Sequence, residues 1–397
     1  MQKNKIVSSL VSEAADEIIR LNINRDEEAL GMIEAIAFTK YKGDDIDELS
    51  WAIDRAFGKL RGQLGPLSYL MKDDDVSEIM INGTQEIYVE RGGEINKLDD
   101  SFDSKEELEQ IIRRIAASVR REVNEMSPIL DARLKDGSRV NAVLSNIALD
   151  GPVLTVRKFR QKKISVEEMI EEGELTEEAA STLKVLVEAG YNIFVSGGTS
   201  SGKTTFLNAL SDFVPKHERV ITIEDSAELQ VKGIPNLVRM ECRNSNSTGQ
   251  GDIQMDALIK ASLRMRPDRI IVGEVRGREV SDMLQALNTG HSGMSTGHGN
   301  SIKGMLRRLE AMYISGHDMP IAAVRSQIVE AIDVMVHLAK LGDGRRKVLE
   351  ISEIIGFRDN DYEIEPVYLL DDDLNLVKTK NTMRKDMRLK VKGISYV

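Results

Sequence analysis

The sequence has a single cysteine, Cys242, among 397 residues, and only 4% of its residues are aromatic. One cysteine excludes an intramolecular disulfide framework and any zinc site built from several cysteines. The sequence has no apolar run of roughly 18 residues, the minimum for a membrane-spanning helix, and therefore predicts none. The N-terminus lacks the apolar core of a signal peptide, so we expect a cytoplasmic protein.

Acidic residues outnumber basic ones, 65 to 54, which leaves a net charge of −11. This balance disfavours nonspecific nucleic-acid binding, because neutralising a phosphate backbone requires a basic surface. The scarcity of aromatic residues also leaves few platforms on which bases could stack. We therefore expect no specific nucleic-acid partner, although a local basic channel is compatible with an acidic total. The hydrophobic and charged fractions, 41% and 30%, are typical of a soluble globular protein with two or three domains.

The strongest signal is the stretch GGTSSGKTT at residues 197–205. An apolar run precedes it and a helix-compatible run follows, which is the context of a phosphate-binding loop. Backbone N–H groups and the helix N-terminus would attract the phosphates. Lys203 would reach the β- and γ-phosphates, and the Thr204 hydroxyl would bind Mg²⁺. The candidate nucleotide-binding residues are Gly197, Gly198, Thr199, Ser200, Ser201, Gly202, Lys203, Thr204 and Thr205.

Two acidic residues follow predicted strands downstream of this loop. The apolar run at 220–223 ends at Glu224, and the run at 269–273 ends at Glu274. The carboxyl ends of parallel strands meet beside the phosphate loop, so both carboxylates belong to the candidate site. One would deprotonate the attacking water and the other would serve the magnesium ion, and the residues leave the choice open. Gly273 stands where a Walker B element commonly carries an aspartate.

Two of the five histidines, His291 and His298, lie in the Gly-, Ser- and Thr-rich stretch 289–301. A strand and loop that senses the γ-phosphate fits this stretch better than a metal site, because no cysteine or third histidine is near. The remaining alternative is a polar loop with incidental histidines.

The order of patterns predicts the domain organisation. Residues 1–62 form a helical N-terminal extension and residues 63–160 a small α+β domain. Residues 161–180 are a charged linker. Residues 181–355 alternate helices with short apolar strands, which is typical of an α/β domain with a mostly parallel sheet. Residues 356–397 are a C-terminal extension.

Three arginines lie in predicted strands of the α+β domain. Arg133 and Arg139 flank a turn between two strands, and Arg157 lies in the last strand of that domain. Single arginines in hairpins usually face solvent. A cluster of three deserves a second interpretation, because a planar guanidinium suits bidentate contacts with phosphate.

Four stretches in this order resemble the Walker A, Asp-box, Walker B and His-box elements of the type II/type IV secretion ATPase superfamily. They lie at 197–205, 222–225, 263–277 and 289–298. Within the superfamily the sequence most resembles the CpaF/TadA branch, which powers tight-adherence (Flp) pili. The resemblance covers about residues 64–355. Gly297 stands where the family usually has a bulkier residue.

The resemblance implies a RecA-like ATPase domain, a PAS-like N-terminal domain and a homohexameric ring that uses ATP and Mg²⁺. It implies that Arg133 and Arg139 approach the phosphates when the domains close, with Arg157 a further candidate. It assigns Glu224 as the catalytic base, Glu274 as the residue linked to magnesium, and His298 to the His box. It also implies a partner, the inner-membrane platform protein of a pilus or secretion machine, through which the protein associates with the cytoplasmic face of that membrane.

The sequence therefore predicts a Mg²⁺-dependent ATP hydrolase that works as a hexameric motor for pilus assembly or secretion, with residues 161–180 as its hinge. Two alternatives remain. One is a RecA-like nucleic-acid translocase, and the other is a nucleotide-dependent scaffold that does not hydrolyse ATP.

Overall fold

The computed structural model describes residues 2–42, 45–62, 64–159, 163–243 and 251–394, with side chains from residue 5 onward. It divides into two compact units, Met1–Arg160 and Gln161–Val397. The predicted boundaries at 62/63 and 160/161 fall on Gln63 and on residues 160–162, which lie outside the described residues.

The first unit begins with three helices, α1 (Gln2–Arg20), α2 (Asp26–Lys40) and α3 (Ile46–Arg61). Their apolar stripes bury a core of their own, and the Asp45 side chain caps α3 by accepting from the N–H groups of Asp47 and Glu48. These helices are part of the same compact unit as the domain that follows, because the buried Arg55 on α3 pairs with Asp100.

A short 3₁₀ turn and α4 (Tyr69–Lys72) lead into a six-stranded antiparallel sheet with one covering helix. The elements are β1 (Val76–Asn82), β2 (Glu86–Arg91), β3 (Glu94–Lys97), α5 (Lys105–Ser118), β4 (Ile129–Arg133), β5 (Arg139–Val143) and β6 (Val153–Arg157). The strand order is β3-β2-β1-β6-β5-β4. Ser104 caps α5. The apolar stripe of α5 packs with the inward-facing strand residues in one core. The predicted hairpin of β4 and β5 is confirmed.

The second unit alternates helices and strands. Its first half contains α6 (Val166–Glu171), α7 (Glu177–Ala189), β7 (Ile193–Gly197), α8 (Lys203–Leu210), β8 (Val220–Glu224), β9 (Leu237–Glu241), α9 (Met255–Ser262) and β10 (Arg269–Val272). Its second half contains α10 (Glu279–Asn288), β11 (Ser292–His298), α11 (Ile302–Gly316), α12 (Ile321–Ala331), β12 (Val334–Lys340), β13 (Arg346–Arg358), β14 (Asp361–Leu370), β15 (Leu376–Lys378) and α13 (Met387–Lys392).

The strands of this unit form one nine-stranded sheet with the order β15-β14-β13-β12-β7-β11-β10-β8-β9. The neighbours from β12 to β9 pair in parallel, and β12 to β15 pair antiparallel. Alternate residues of β7 lie in two different hydrophobic cores. Ile193 and Val195 belong to one core, and Phe194 belongs to the other. A strand buried on both faces explains why this segment reads as a continuous apolar run.

Two predicted domain limits differ from the structure. Val166, Met169 and Leu175 of the predicted linker are buried in the same core as β7, so α6 belongs to the second unit. The expected boundary at 355/356 falls inside β13, and β14 and β15 extend the same sheet. The pairings of β12 to β15 are local hairpins, and only the parallel pairing of β12 with β7, distant in sequence, joins them to the rest of the sheet. Within the described ranges, no helix is both long and apolar enough to cross a bilayer.

Candidate nucleotide-binding site

The loop between β7 and α8 has the geometry of a phosphate cradle. Ser200 and Gly202 adopt left-handed backbone conformations, with φ of 58° and 93°. A Cβ atom at Gly197 would lie 2.5 Å from Ser201 Oγ and 2.6 Å from the Leu338 carbonyl oxygen, and one at Gly202 would lie 2.8 Å from Arg346 Cδ. Glycine is therefore required at both positions. Thr204 and Thr205 lie in the first turn of α8, and Gly198, Thr199 and Ser200 are exposed.

Lys203 is a buried cation held by neutral groups. Its side chain is folded against the loop and the residue is 7% exposed. The ammonium Nζ donates to the Gly198 carbonyl oxygen at 2.8 Å and to His298 Nδ1 at 3.2 Å. Burial lowers the pKa of Lys203, an effect that the charge of Glu274 opposes. In the described part of the chain no carboxylate pairs directly with this ammonium, so a bound anion would supply its counter-charge.

His298 connects Lys203 to Glu274. Its Nε2 lies 2.8 Å from Glu274 Oε1, and its Nδ1 accepts from Lys203. Burial lowers the pKa of His298, although the nearby Glu274 raises it, and the charge of Lys203 lowers it further. A neutral ring can accept at Nδ1, whereas the contact at Nε2 is close without the alignment of a hydrogen bond, so Glu274 Oε1 has no hydrogen-bond partner among the described residues.

Glu274 is also tied to a more exposed arginine. Its Oε2 accepts from Arg276 Nη2 at 2.7 Å, and Arg276 Nη1 lies 3.9 Å from Asp225 Oδ2. Lys203, His298, Glu274 and Arg276 thus form one chain of polar contacts. The structure brings together side chains from the phosphate loop, the strand end at 274 and the histidine stretch.

Glu224 has a different environment. It is 3% exposed, and its Oε2 accepts from the backbone N–H groups of Glu228 and Leu229, each at 2.7 Å. Its Oε1 is buried and has no hydrogen-bond partner among the described residues. Burial raises the pKa of Glu224 to about 7. A carboxyl with that pKa can accept a proton near neutral pH.

The position of Glu224 explains the unusual Gly273. A Cβ at residue 273 would lie 3.1 Å from Glu224 Cγ, a tight contact that an aspartate would have to relieve. The Gly273 carbonyl oxygen also accepts from the Thr296 hydroxyl at 2.7 Å. Glycine at 273 therefore leaves space for the Glu224 side chain. Gly297 is small for a similar reason, because a Cβ there would lie 2.7 Å from Met305 Cε.

A cavity of about 500 Å³ adjoins the loop. Its lining residues are Gly198, Thr199, His298, Gly299, Asn300, Gly304 and Arg308. Arg308 is exposed and makes no hydrogen bond or ion pair with any described residue. Sequence reasoning missed it, since it lies on α11 beyond the recognised motifs. The one available signal was its helical spacing of four residues from Gly304, near the Ser301 cap of that helix.

A second residue missed by the sequence supports the loop from outside. Arg346 Nε donates to the Ser200 carbonyl oxygen at 3.3 Å. The neighbouring Glu174 is buried, and burial raises its pKa to about 7, although the charge of Arg346 lowers it. Arg346 lies 146 residues from Ser200, so no local sequence pattern predicts this contact.

The alternative of a metal site containing both His291 and His298 is wrong. His291 precedes the first residue of β11 and His298 is its last, so the two rings lie at opposite ends of one strand. His291 Nδ1 instead lies 3.1 Å from the Ala286 carbonyl oxygen. Within the described ranges, no three His, Cys, Asp or Glu side chains are placed to hold a metal ion.

The three candidate arginines lie in the first unit and form one row across its sheet. Arg133 is directly opposite Arg139, and Arg139 is directly opposite Arg157, so their side chains share a face. The row continues to Glu78 on β1. Arg133 Nε donates to the Gly137 carbonyl oxygen at 3.2 Å, and its guanidinium lies 5.8 Å from the ring centre of Phe159. Their action on a nucleotide stays a prediction.

A sequence profile described as "Type II/IV secretion system protein" matches residues 61–361. The chain belongs to this family. The conjugal transfer protein TrbB of Rhizobium radiobacter is 33% identical over 325 residues, which cover 80% of this chain and 96% of TrbB. The type IV secretion system protein PtlH of Bordetella pertussis is 30% identical over 304 residues, covering 70% of this chain and 90% of PtlH.

The X-ray structure of the Legionella pneumophila ATPase DotB superposes with a TM-score of 0.53 at 22% identity, covering 74% of this chain and 81% of DotB. At that identity the similarity concerns the fold alone. It confirms the predicted fold class: an α/β, RecA-like domain with a smaller α+β domain of PAS-like type before it.

Proposed function

We propose that this protein is a Mg²⁺-dependent ATP hydrolase that works as a motor of a type IV secretion or pilus machine. The observation that carries the proposal is Lys203, a buried ammonium with neutral partners beside the phosphate loop. Such a cation favours an anionic ligand, and so do the free backbone N–H groups expected at the start of α8. The names of TrbB and PtlH support a role in a transfer or secretion machine.

The environments of the two carboxylates support a division of roles. Burial raises the pKa of Glu224 to about 7, which suits a base that takes a proton from the attacking water. Glu274 faces His298 and Arg276, which suits a residue that orients ligands and holds a metal-bound water. Attack of the water deprotonated by Glu224 on the γ-phosphorus would release ADP and phosphate.

The donor set fits a magnesium ion. Thr204 supplies a hydroxyl at the start of α8 and Glu274 a carboxylate, and oxygen ligands are those that Mg²⁺ prefers. These two residues would hold the ion partly through water. When bound, Mg²⁺ would offset the charge of the β- and γ-phosphates.

The arginine row supports a role for the first unit in the same reaction. The row places three guanidinium groups on one face of the sheet, and a planar guanidinium suits bidentate contacts with phosphate. We assign Arg133 and Arg139 to the phosphates of the bound nucleotide and Arg157 to a supporting contact. Closure of the two units on ATP would then convert hydrolysis into movement.

The remaining assignments rest on the family resemblance. They are a homohexameric ring, a platform protein of the inner membrane as partner, a location at the cytoplasmic face of that membrane, and membership of the CpaF/TadA branch. The net charge of −11 disfavours the nucleic-acid translocase. The scaffold alternative does not account for a carboxyl with a raised pKa at the carboxyl end of β8.

The test is steady-state ATP hydrolysis by the purified full chain with and without Mg²⁺. We expect Lys203→Ala to lower kcat roughly 10²- to 10³-fold, because a preorganised cation at the phosphates is lost. Lys260→Ala is the matched control, since Lys260 is exposed and pairs with Asp282. Nucleotide binding without hydrolysis by the wild type would establish the scaffold, and strong stimulation by single-stranded DNA would establish the translocase.

The arginine row is tested in the same assay. We expect Arg139→Gln to lower kcat roughly 10²-fold, since a charge facing the transition state is lost. Arg113→Gln is the control, because Arg113 lies on α5 and pairs with Glu109. Equal rates of ATP hydrolysis for Arg139→Gln and Arg113→Gln would show that the arginine row of the first unit takes no part in the reaction.

A further inference from the structure

Arg308 is a charged side chain near the phosphate loop to which the proposed hydrolysis assigns no role. It lies on α11 and lines the cavity of about 500 Å³ beside the loop. The helix has two other basic residues, Lys303 and Arg307, and both pair with Asp361. Neither of these two lines the cavity, so among the basic residues of α11 Arg308 is the one that a ligand in the cavity would meet.

The helical spacing explains how Arg308 reaches the cavity. Gly304 lies four residues earlier, so the two residues are neighbours on one face of α11, and both line the cavity. Long side chains on a helix lean toward its N-terminus, which brings the guanidinium toward the position of Gly304. Gly304 has no side chain to fill that space, and a Cβ there would lie 3.0 Å from the Oγ of Ser301, the helix cap. The sequence of α11 therefore leaves the guanidinium a path along the cavity wall.

The same cavity adjoins the atoms that hold the ammonium group of Lys203. Lys203 Nζ donates to the Gly198 carbonyl oxygen at 2.8 Å and to His298 Nδ1 at 3.2 Å. Gly198 and His298 both line the cavity, and so does Thr199, the next residue of the loop. The lysine of a phosphate-binding loop reaches the β- and γ-phosphates, whereas the loop backbone holds the α- and β-phosphates. The cavity therefore adjoins the end of the loop at which the terminal phosphate of a nucleotide would lie.

We propose that Arg308 binds the γ-phosphate of ATP from the α11 side of the cavity and thereby makes the site prefer ATP to ADP. The proposal rests on the proposed function, in which the loop binds ATP. Lys203 and Arg308 would contact the terminal phosphate from two sides, and the planar guanidinium presents parallel N–H donors to its oxygens. ADP has no γ-phosphate, so Arg308 would contribute little to its affinity.

The test measures the Kd of the full chain for AMP-PNP, a non-hydrolysable ATP analogue, and for ADP, both with Mg²⁺, by isothermal titration calorimetry. We expect Arg308→Gln to weaken AMP-PNP binding roughly 10- to 100-fold, as the loss of a hydrogen bond to a charged group does, and to leave ADP binding nearly unchanged. Arg308→Lys keeps the charge without the planar fork and should recover part of the lost affinity. Lys303→Gln is the matched control, since Lys303 is an exposed basic residue of the same helix that pairs with Asp361.

Equal affinities of Arg308→Gln and Lys303→Gln for AMP-PNP would overturn the proposal. A loss of ADP affinity as large as the loss for AMP-PNP would also overturn it, because the contact would then lie at the inner phosphates. Arg308 is exposed, so the variants should keep the wild-type melting temperature, and if Arg308→Gln melts early the same comparison with Arg308→Lys decides. A wild type that binds AMP-PNP and ADP but does not hydrolyse ATP refutes the proposed hydrolysis alone, whereas a wild type that binds neither nucleotide refutes both proposals.

Discussion

In the second unit, the charged side chains at the amino ends of the parallel strands differ from those at the carboxyl ends in whether they have ion-pair partners. At the amino end, Arg269 opens β10 with no exposed surface and forms a two-point ion pair with Glu218, at 2.7 and 3.1 Å. Asp333 precedes β12 and accepts from the Asn192 N–H at 2.9 Å, with Arg388 at 3.3 Å. Each of these charges has its partner inside the protein.

At the carboxyl end, Glu274 pairs with Arg276, but three other charged groups lack such partners. Lys203 rests on a carbonyl oxygen and a neutral imidazole, Arg308 lines a cavity, and Glu224 has a buried oxygen without a donor in the described part of the chain. A folded chain pairs its buried polar groups unless a ligand or a reaction uses them. The comparison indicates that the charges at the amino end stabilise the sheet, and it supports the proposed anion site at the carboxyl end.

The largest effect expected from this comparison is on the free energy of unfolding. Arg269→Met leaves Glu218 buried without its partner and should destabilise the protein by about 3–5 kcal/mol. Lys203→Met removes a cation that no described carboxylate pairs with directly, so without nucleotide it should change stability by less than about 1 kcal/mol. Urea unfolding at pH 7 measures both. Comparable losses of unfolding free energy in the two variants would contradict the proposed difference between the two ends of the strands.

A smaller effect, dependent on pH, is expected at Glu224. Its pKa is about 7 in the folded protein and near the ordinary 4.5 when unfolded. The folded state therefore holds this proton more tightly, and the associated stability is complete below pH 4.5 and lost as the pH rises through 7. Glu224→Gln does not titrate, so relative to wild type it should gain about 2 kcal/mol between pH 5 and pH 8.

The same variant sharpens the functional assignment. If Glu224 is the base, wild-type kcat should rise with pH through about 7, and Glu224→Gln should lose roughly 10²- to 10⁴-fold of the rate. Denaturant unfolding at pH 5 to 8 measures the predicted change in stability, and ATP hydrolysis over the same pH range measures the predicted change in kcat. A parallel pH dependence of stability in wild type and variant would show that Glu224 is not the titrating group. Normal hydrolysis by the variant would assign the base elsewhere.

Much of the site was predictable because its parts are local. The phosphate loop needs a strand, two tight glycine positions and a helix start, all within residues 193–205. Glu224 ends β8, His298 ends β11, and Glu274 lies two residues beyond β10, so the parallel order of these strands brings the three to one end of the sheet.

The parts that sequence reasoning missed depend on contacts between distant residues. Arg308 reaches the cavity because α11 folds over the end of β11, and His337 meets Ser196 because β12 pairs with β7 across 141 residues. The C-terminal segment was expected to be an extension, yet the buried carboxylate of Glu353 accepts from the backbone N–H groups of Arg384 and Lys385, each at 2.7 Å. No residue pattern within either segment announces such a pairing.

The amino-acid sequence alone determined a glycine-rich loop between a strand and a helix, two acidic strand ends and a histidine-bearing strand, because each depends on a short run of backbone and side-chain chemistry. Only the tertiary structure decided that Lys203 has no directly paired carboxylate among the described residues and that Glu224 has a pKa near 7. Both depend on burial, and burial is a property of the packed chain that no single segment contains.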